Sequence, residues 1–149
     1  RSIKHEEIEK AIVTKEKWFE YPLLDWEKFL DACEYGLYYE DDSLVFNEFF
    51  IMGGRGFGKN GYISTEIFYQ TTKQHGIKKY DIDIIATSED QAKTSFTDVH
   101  DMIEENPKLN KAFNITLEEI KNKTTKSTIN YNTSNSKTKD GRRPRTCIF

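Results

Sequence analysis

The sequence predicts one α/β domain with a mainly parallel β-sheet flanked by helices, and three observations lead to this fold class. Residues 44–52 (LVFNEFFIM) and 81–88 (DIDIIATS) are largely apolar runs, as the buried strands of a parallel sheet are. Each run is followed by a segment of helical character. Strands and helices therefore alternate along the chain, which is typical of a parallel sheet with helical crossovers. A length of 149 residues suits one domain with its own core.

Two helices are predicted before the first strand, in a helical segment of about residues 1–36 that precedes an α/β core of about residues 44–149. Apolar residues recur at roughly helical spacing in residues 3–21 and again in residues 23–37. The expected apolar faces consist of Ile3, Ile8, Ile12 and Val13 in the first helix, and Leu23, Trp26, Phe29, Leu30 and Cys33 in the second. Gly36 stands where the second helix should end.

The second half of the chain continues the alternation. Residues 60–74 are predicted to be helical, and residues 81–88 form the next strand. The sequence from Ser88 to Gln91 is a capping box that opens a helix over residues 88–105, which Asn106 and Pro107 terminate. Residues 117–135 read as two short strands around the turn at residues 121–126, and residues 145–149 begin the last strand.

Composition limits the classes of function. The net charge of −3 gives no global preference for nucleic acid or anionic membrane, so such a contact must be local. No apolar run approaches the roughly 20 residues of a membrane span, and no signal peptide is visible, so we expect a soluble cytoplasmic protein. Cys33 and Cys147 match no metal-binding spacing and are expected to be reduced thiols. His5, His75 and His100 are isolated in the sequence, and we assign them no catalytic or metal-binding role.

The two ends of the sequence suggest a fragment. The chain begins with Arg1 rather than Met, and it stops at residues 146–149 (TCIF), inside an apolar strand. We therefore expect it to be part of a longer protein.

A glycine-rich stretch between the first core strand and the next helix carries the functional signal, and it fits two motifs. Read from Gly53, the letters GGRGFGKN give G-x-x-x-x-G-K, the phosphate-binding P-loop, with Asn60 in place of the usual Ser or Thr. Read from Gly56, the letters GFGKNG give G-x-G-x-x-G, the dinucleotide fingerprint of oxidoreductases.

The rest of the sequence favours the P-loop. The dinucleotide fingerprint requires an acid about 20 residues later, at the end of the second strand. Asp81 and Asp83 are near that distance, but they lie at the start of that strand. The fingerprint would also place Arg55 and Lys59 in a loop that normally has no cations. A dinucleotide-binding oxidoreductase domain remains as the alternative.

The P-loop interpretation assigns a role to each residue of the stretch. Glycines let backbone N–H groups close around phosphates at a helix N-terminus, and Lys59 reaches the β- and γ-phosphates as a point charge. Asn60 offers Mg²⁺ only an amide oxygen. The expected nucleotide-binding residues are Gly53, Gly54, Arg55, Gly56, Phe57, Gly58, Lys59, Asn60 and Gly61.

Three segments then resemble the ATPase domain of the terminase large subunit of tailed bacteriophages. They are residues 50–64 (FIMGGRGFGKNGYIS), 78–96 (KKYDIDIIATSEDQAKTSF) and 135–149 (NSKTKDGRRPRTCIF), and the resemblance runs from about Trp26 to the C-terminus. Proteins of this family pump DNA into empty capsids and couple this to ATP hydrolysis. The resemblance implies a P-loop NTPase fold, ATP and Mg²⁺ as cofactors, and the cytoplasm of an infected bacterial host as location. The implied partners are double-stranded DNA, the terminase small subunit, the portal protein and further copies of the chain in a ring, with no membrane.

The resemblance also implies roles for single residues. Arg55 would stabilise the γ-phosphate together with Lys59, and Trp26 and Phe29 fall in a segment that contacts adenine in the family. The strand at residues 146–149 would lead into the acidic Walker B pair, and a nuclease domain would follow. Because neither lies within this sequence, we expect ATPase activity in the intact protein and almost none here. A non-catalytic nucleotide-binding module is thus a further interpretation.

A basic segment, residues 136–145 (SKTKDGRRPR), precedes the last strand. Its cations are Lys137, Lys139, Arg142, Arg143 and Arg145. Arg142 or Arg143 is expected to act on the phosphates of a neighbouring subunit or to contact the DNA backbone, and a solvated turn is the alternative. By the same resemblance, residues 87–89 at the end of the second strand lie beside nucleotide or DNA, although capping of the next helix by Ser88 also explains them.

Overall fold

The structure, a computed structural model, describes residues 2–54, 56, 58–86, 89–133 and 144–149. The chain divides into two compact units, Arg1–Tyr62 and Ile63–Phe149. The boundary falls inside the third helix, and the single domain expected from the sequence stays a prediction. Within the described ranges, no helix combines the length and the hydrophobicity needed to span a bilayer.

The first unit consists mainly of two helices. Strand β1 (Ser2–Ile3) precedes helix α1 (His5–Phe19), and helix α2 (Asp25–Tyr35) is followed by β2 (Leu37–Tyr38), which pairs antiparallel with β1. Helix α3 (Lys59–Thr71) begins in this unit. All three helices are confirmed close to their predicted bounds.

The buried faces of α1 and α2 differ from the apolar faces that the sequence predicts. In α1 the buried residues are Ala11, Thr14 and Lys15, and in α2 they are Glu27, Asp31 and Tyr35. Val13 is 55% exposed and Phe29 is 66% exposed. The physical reason is a buried ion pair between the two helices, described below, which sets the face that each helix turns inward.

Gly36 ends α2, as predicted, but for a different reason than a left-handed cap. Its N–H donates to the carbonyl of Ala32 at 3.0 Å, and its φ of −110° is open to any residue. A Cβ at this position would lie 2.3 Å from the Ile8 side chain and 2.8 Å from the Ala32 carbonyl oxygen. Glycine is therefore required because α1 and the end of α2 approach closely here.

The strand predicted over residues 44–52 does not form among the described residues, and this prediction is wrong. The segment contributes a single bridge, from Leu44 to Tyr38, and is otherwise irregular. Phe50 is 87% exposed and Met52 is 79% exposed. A strand requires a neighbour for its backbone hydrogen bonds. Beyond the bridge to Tyr38, the segment pairs with no described strand, and its apolar residues alone cannot supply the missing hydrogen bonds.

The second unit contains a five-stranded sheet with helices packed on it. Its elements after α3 are β3 (Ile82–Ala86), α4 (Glu89–Glu105), α5 (Pro107–Ala112), β4 (Phe113–Ile115), β5 (Glu119–Asn122), β6 (Thr128–Thr133) and β7 (Thr146–Ile148). The predicted strands β3, β5, β6 and β7 and helix α4 are confirmed, whereas α5 and β4 were not predicted. Asn106 ends α4 as expected but also caps α5, because its side chain accepts from the N–H groups of Lys108 and Leu109. The capping residue Ser88 lies outside the described residues.

The sheet is mixed rather than mainly parallel, which corrects the prediction. Its strand order is β4-β5-β6-β3-β7. Strand β3 runs parallel to β6 and β7, while β4 with β5 and β5 with β6 are antiparallel. The short turns between β4, β5 and β6 cause the difference, because a turn of a few residues can join only antiparallel neighbours.

One row of side chains crosses the sheet and forms its core. Ile115 on β4 pairs with Ile120 on β5, which pairs with Ile129 on β6, which pairs with Ile82 on β3. The last three of these isoleucines are fully buried. Helix α4 packs on β3 and β6, with the Phe96 ring 4.9 Å from that of Tyr131.

The hairpin turn between β5 and β6 holds the C-terminal end of α3. The Asn122 amide donates to the carbonyl of Thr71 at 3.0 Å, and the Thr125 hydroxyl donates to the same carbonyl at 2.7 Å. The amide oxygen of Asn122 accepts from the N–H groups of Thr124 and Thr125. These side chains therefore satisfy a carbonyl that the helix end leaves without an internal donor.

We predict that Gly36→Ala lowers the free energy of unfolding by about 1–3 kcal/mol, since the added methyl overpacks the contact with Ile8. Chemical denaturation measures the change. Gly61→Ala is the matched control, because the nearest atom to a Cβ there is the Tyr21 hydroxyl at 3.8 Å. That helical site should gain about 0.5–1 kcal/mol. Equal effects at both glycines would contradict the close approach at Gly36.

We also predict that Asn122→Ala destabilises the protein by about 1–3 kcal/mol, because a buried side chain that makes three hydrogen bonds is lost. Asn110→Ala is the control: its amide makes one exposed bond, to the carbonyl of Glu104, and the change should stay within about 0.5 kcal/mol. A neutral Asn122→Ala would show that the turn does not hold α3.

Candidate functional site

Two glycines of the glycine-rich loop have a left-handed backbone. Gly56 and Gly58 have φ angles of +82° and +92°, in the left-handed region that only glycine adopts readily. A Cβ at Gly54 or Gly56 would meet no atom of the described residues within 4 Å, so these two positions leave space for a ligand. Left-handed glycines are common in loops that bind anions through backbone N–H groups. Arg55 and Phe57 lie outside the described residues.

Helix α3 begins directly after this loop, at Lys59. The N–H of Tyr62 donates to the Gly58 carbonyl at 3.1 Å and closes the first turn. The first N–H groups of a helix are available to a ligand in general, and the helix dipole adds partial positive charge there. Lys59, Asn60 and Gly61 are exposed at this end. The arrangement can bind a phosphate through backbone donors and a flexible ammonium group.

Trp26 and Phe29, the predicted adenine contacts, take different positions. Trp26 is half-buried, and its Cζ2 atom is 3.9 Å from where a Cβ of Gly58 would stand. Its ring lies 5.5 Å from that of Tyr62 at an angle of 52°. Phe29 lies three residues later on α2 and is largely exposed. Trp26 therefore packs beside the last loop glycine, close to where phosphate would bind, and the adenine role of both residues stays a prediction.

A buried ion pair lies beneath the first turn of α3, and the sequence analysis missed it. The Lys15 Nζ atom is 2.6 Å from Oδ1 of Asp31, and both side chains are fully buried. The Tyr62 hydroxyl donates to the same Oδ1 atom at 3.0 Å. The signal was available in the sequence: Lys15 follows Ala11 by four residues, and Asp31 precedes Tyr35 by four, so each charge shares a helix face with apolar neighbours.

Glu27 and Tyr21 add polar groups around this pair. Buried Glu27 accepts from the N–H of Leu24 at 2.9 Å, which caps α2. Burial raises the pKa of the Tyr21 phenol, and the negative charge of Glu27 raises it further. Tyr21 consequently stays protonated at neutral pH, with its hydroxyl close to Gly61 in the first turn of α3.

Asp81 has a structural role that weakens the dinucleotide alternative. It directly precedes β3, its carboxylate accepts from the Thr128 hydroxyl at 2.8 Å, and its carbonyl accepts from the N–H of Arg145 at 2.9 Å. It therefore joins the starts of three neighbouring strands, at the end of β3 opposite to the one where a ribose-binding acid belongs. Thr87, Ser88, Lys137, Lys139, Arg142 and Arg143 lie outside the described residues, and their roles stay predictions.

The pKa of each of the two cysteine thiols is raised. Burial raises the pKa of Cys33, and burial together with the charge of Asp83 raises that of Cys147. A raised pKa keeps the thiol protonated, and the thiolate is the nucleophile and the metal ligand.

The fold described above is similar to part of a phage large terminase. One solved structure that matches is the crystal structure of the HK97 bacteriophage large terminase, with a TM-score of 0.78 and 20% sequence identity over 92% of this chain. The chain spans 29% of the length of that terminase. The match confirms the resemblance found in the sequence, and at this identity it shows a shared fold. No protein-family model matches the sequence, and no curated protein matches it.

We predict that Lys15→Met lowers the free energy of unfolding by about 3–5 kcal/mol, because it leaves the Asp31 carboxylate buried without its counter-charge. The double variant Lys15→Met, Asp31→Leu should recover most of this loss, since both charges are replaced by apolar groups of similar volume. Thermal and chemical unfolding measure both changes.

The control is Lys10→Met, which breaks an exposed ion pair with Glu7 on the same helix, of 2.8 Å, and should cost less than about 1 kcal/mol. A double variant as unstable as Lys15→Met alone would show that the pair is not the source of the effect.

Proposed function

We propose that this chain is the nucleotide-binding part of a large terminase, an ATPase that drives DNA into a phage capsid. The observation that carries the proposal is the loop with left-handed Gly56 and Gly58 leading into a helix that begins at Lys59. Terminase-like fold and phosphate-binding motif coincide in one chain, which supports the same conclusion.

The residues present fit a nucleoside triphosphate. Backbone N–H groups from Gly53 to Gly61 would hold the phosphates, and Lys59 and Arg55 would offset the charge that builds on the γ-phosphate. When bound, Mg²⁺ would neutralise phosphate charge, and Asn60 would supply an amide oxygen to it. The loop is open, its helix end is positive, and Lys59 is exposed, so a polyanion has room and favourable charge there.

Hydrolysis and packaging belong to the proposal for the longer protein. A Walker B Asp-Glu pair would activate water there, and this chain alone would bind nucleotide with almost no turnover. Double-stranded DNA, the small subunit, the portal protein and neighbouring copies in a ring would be its partners, in the cytoplasm of an infected bacterium. Arg142 or Arg143 would reach either a neighbour's phosphates or the DNA backbone.

We predict that the chain binds Mg·ADP and Mg·ATP, and that Lys59→Ala weakens both at least about tenfold, because a charge-assisted contact to phosphate is lost. Trp26 beside Gly58 provides the readout. The chain has two tryptophans, so Trp18→Phe leaves Trp26 as the sole indole and its fluorescence should change on binding. Isothermal titration gives the affinities independently.

Lys108→Ala is the matched control, an exposed lysine on α5 whose loss should leave both affinities unchanged. A phosphate-release assay should detect almost no hydrolysis, and robust turnover would show that the catalytic base is misplaced. If wild type binds neither nucleotide at millimolar concentration, the proposal is wrong. Binding of NADH that survives Lys59→Ala would favour the dinucleotide alternative instead.

A further inference from the structure

We propose that helices α1 and α2 form a platform that positions the phosphate loop, and that Tyr62 is the positioning residue through which the platform sets affinity for polyphosphate. The inference rests on the proposed function and names a role that lies outside the loop motif. The platform is defined here as Lys15, Trp26 and Asp31.

Tyr62 connects the loop to the platform, because its backbone bonds to the loop and its side chain bonds to the platform. Its N–H closes the first turn of α3 onto the carbonyl of Gly58 at 3.1 Å. Its hydroxyl donates to Asp31 Oδ1 at 3.0 Å, and the side chain is almost completely buried. A displacement of the first turn relative to α2 therefore has to break a buried hydrogen bond to a charged group, which is stronger than a bond between neutral groups.

The acceptor of this bond is itself fixed. Lys15 holds Asp31 Oδ1 at 2.6 Å, and both side chains are fully buried. The Lys15 Nζ atom also lies 4.8 Å from the centroid of the Tyr62 ring, within the range of a cation–π contact. One cation thus contacts both the Asp31 carboxylate and the Tyr62 ring, whose hydroxyl donates to that carboxylate.

Trp26 supports the same region from a second point. It lies against Gly58, where a Cβ would be 3.9 Å from the indole, and its ring contacts that of Tyr62. Gly58 has a positive φ and precedes the helix, so its backbone direction determines where the next N–H groups point. The platform therefore touches both the last loop glycine and the first helical turn.

This support matters for binding because phosphate is held by the direction of backbone N–H groups. A site that is already ordered binds without the entropy cost of ordering it. Removing the Tyr62 hydroxyl keeps the ring and its packing but releases the first turn from Asp31. Loss of this hydroxyl should weaken the binding of the phosphates and not that of the base. The affinity should therefore fall by the same factor for any ligand with the same phosphate chain.

The test is Tyr62→Phe, with the dissociation constants of Mg·ATP and of inorganic tripolyphosphate measured by titration well below the unfolding temperature. We expect both to weaken by the same factor, about three- to tenfold, as for one lost hydrogen bond. Amide hydrogen exchange at residues 59–62 should be faster than in wild type without ligand and equal to wild type at saturation. If Tyr62 only stabilised the fold, the exchange of amides throughout the first unit would become faster, and the change would not be confined to residues 59–62 without ligand.

Two further variants keep the test decisive. Tyr131→Phe is the matched control: it loses a phenol bond to the Leu117 carbonyl, of 3.1 Å, and should leave both affinities unchanged. The double variant Lys15→Met, Asp31→Leu removes the acceptor while keeping the volume, and it should weaken binding as Tyr62→Phe does, which covers the case in which Tyr62→Phe does not fold.

The outcomes separate this inference from the proposed function. If wild type binds neither ligand, the proposed function and this inference are both wrong. If wild type binds, and Tyr62→Phe and the double variant Lys15→Met, Asp31→Leu both bind as tightly as wild type, the inference alone is wrong. A loss for Mg·ATP without a loss for tripolyphosphate would place the effect at the base and would also overturn it.

Discussion

The packing of the first unit depends on the buried pair of Lys15 and Asp31. Removing two charges from water costs several kcal/mol for each ion, and only a close, well-directed contact offsets that cost. Because Nζ must reach Oδ1, helices α1 and α2 have one rotation about their axes and one register in which both charges are paired. The apolar Val13 and Phe29 are turned outward as a consequence, although burying them would be favourable on its own.

Local features of the sequence were enough to predict most elements. Helical periodicity gives α1, α2 and α4 within a few residues, and the turn at residues 121–126 gives the β5–β6 hairpin, because turn chemistry acts between neighbours in the chain. The same reasoning places the glycine loop before α3. Helix α5 was missed because Asn-Pro was used only as a stop signal, whereas Asn caps a helix and Pro fits its first turn.

What could not be predicted depends on partners far away in the sequence. The apolar run at residues 44–52 has the composition of a buried strand, yet a strand forms only where another backbone offers hydrogen bonds. The polar faces of α1 and α2 have the same origin: the helix periodicity places Lys15 and Asp31 on faces with apolar residues, but it does not identify them as partners, because they are 16 residues apart.

The candidate site combines both kinds of information. Its glycines can be recognised in the sequence as a motif, and they give the loop the backbone freedom that curving around an anion requires. That freedom is costly, because ordering each residue opposes folding by about 1–2 kcal/mol and glycine loses the most. A loop of this composition stays ordered only if its ends are held. At the helical end, Tyr62 and Trp26 hold it through contacts with residues that the motif does not contain. Under the proposed function, the motif would specify which ligand the loop binds, and the helices before it would determine how well the loop is ordered for binding.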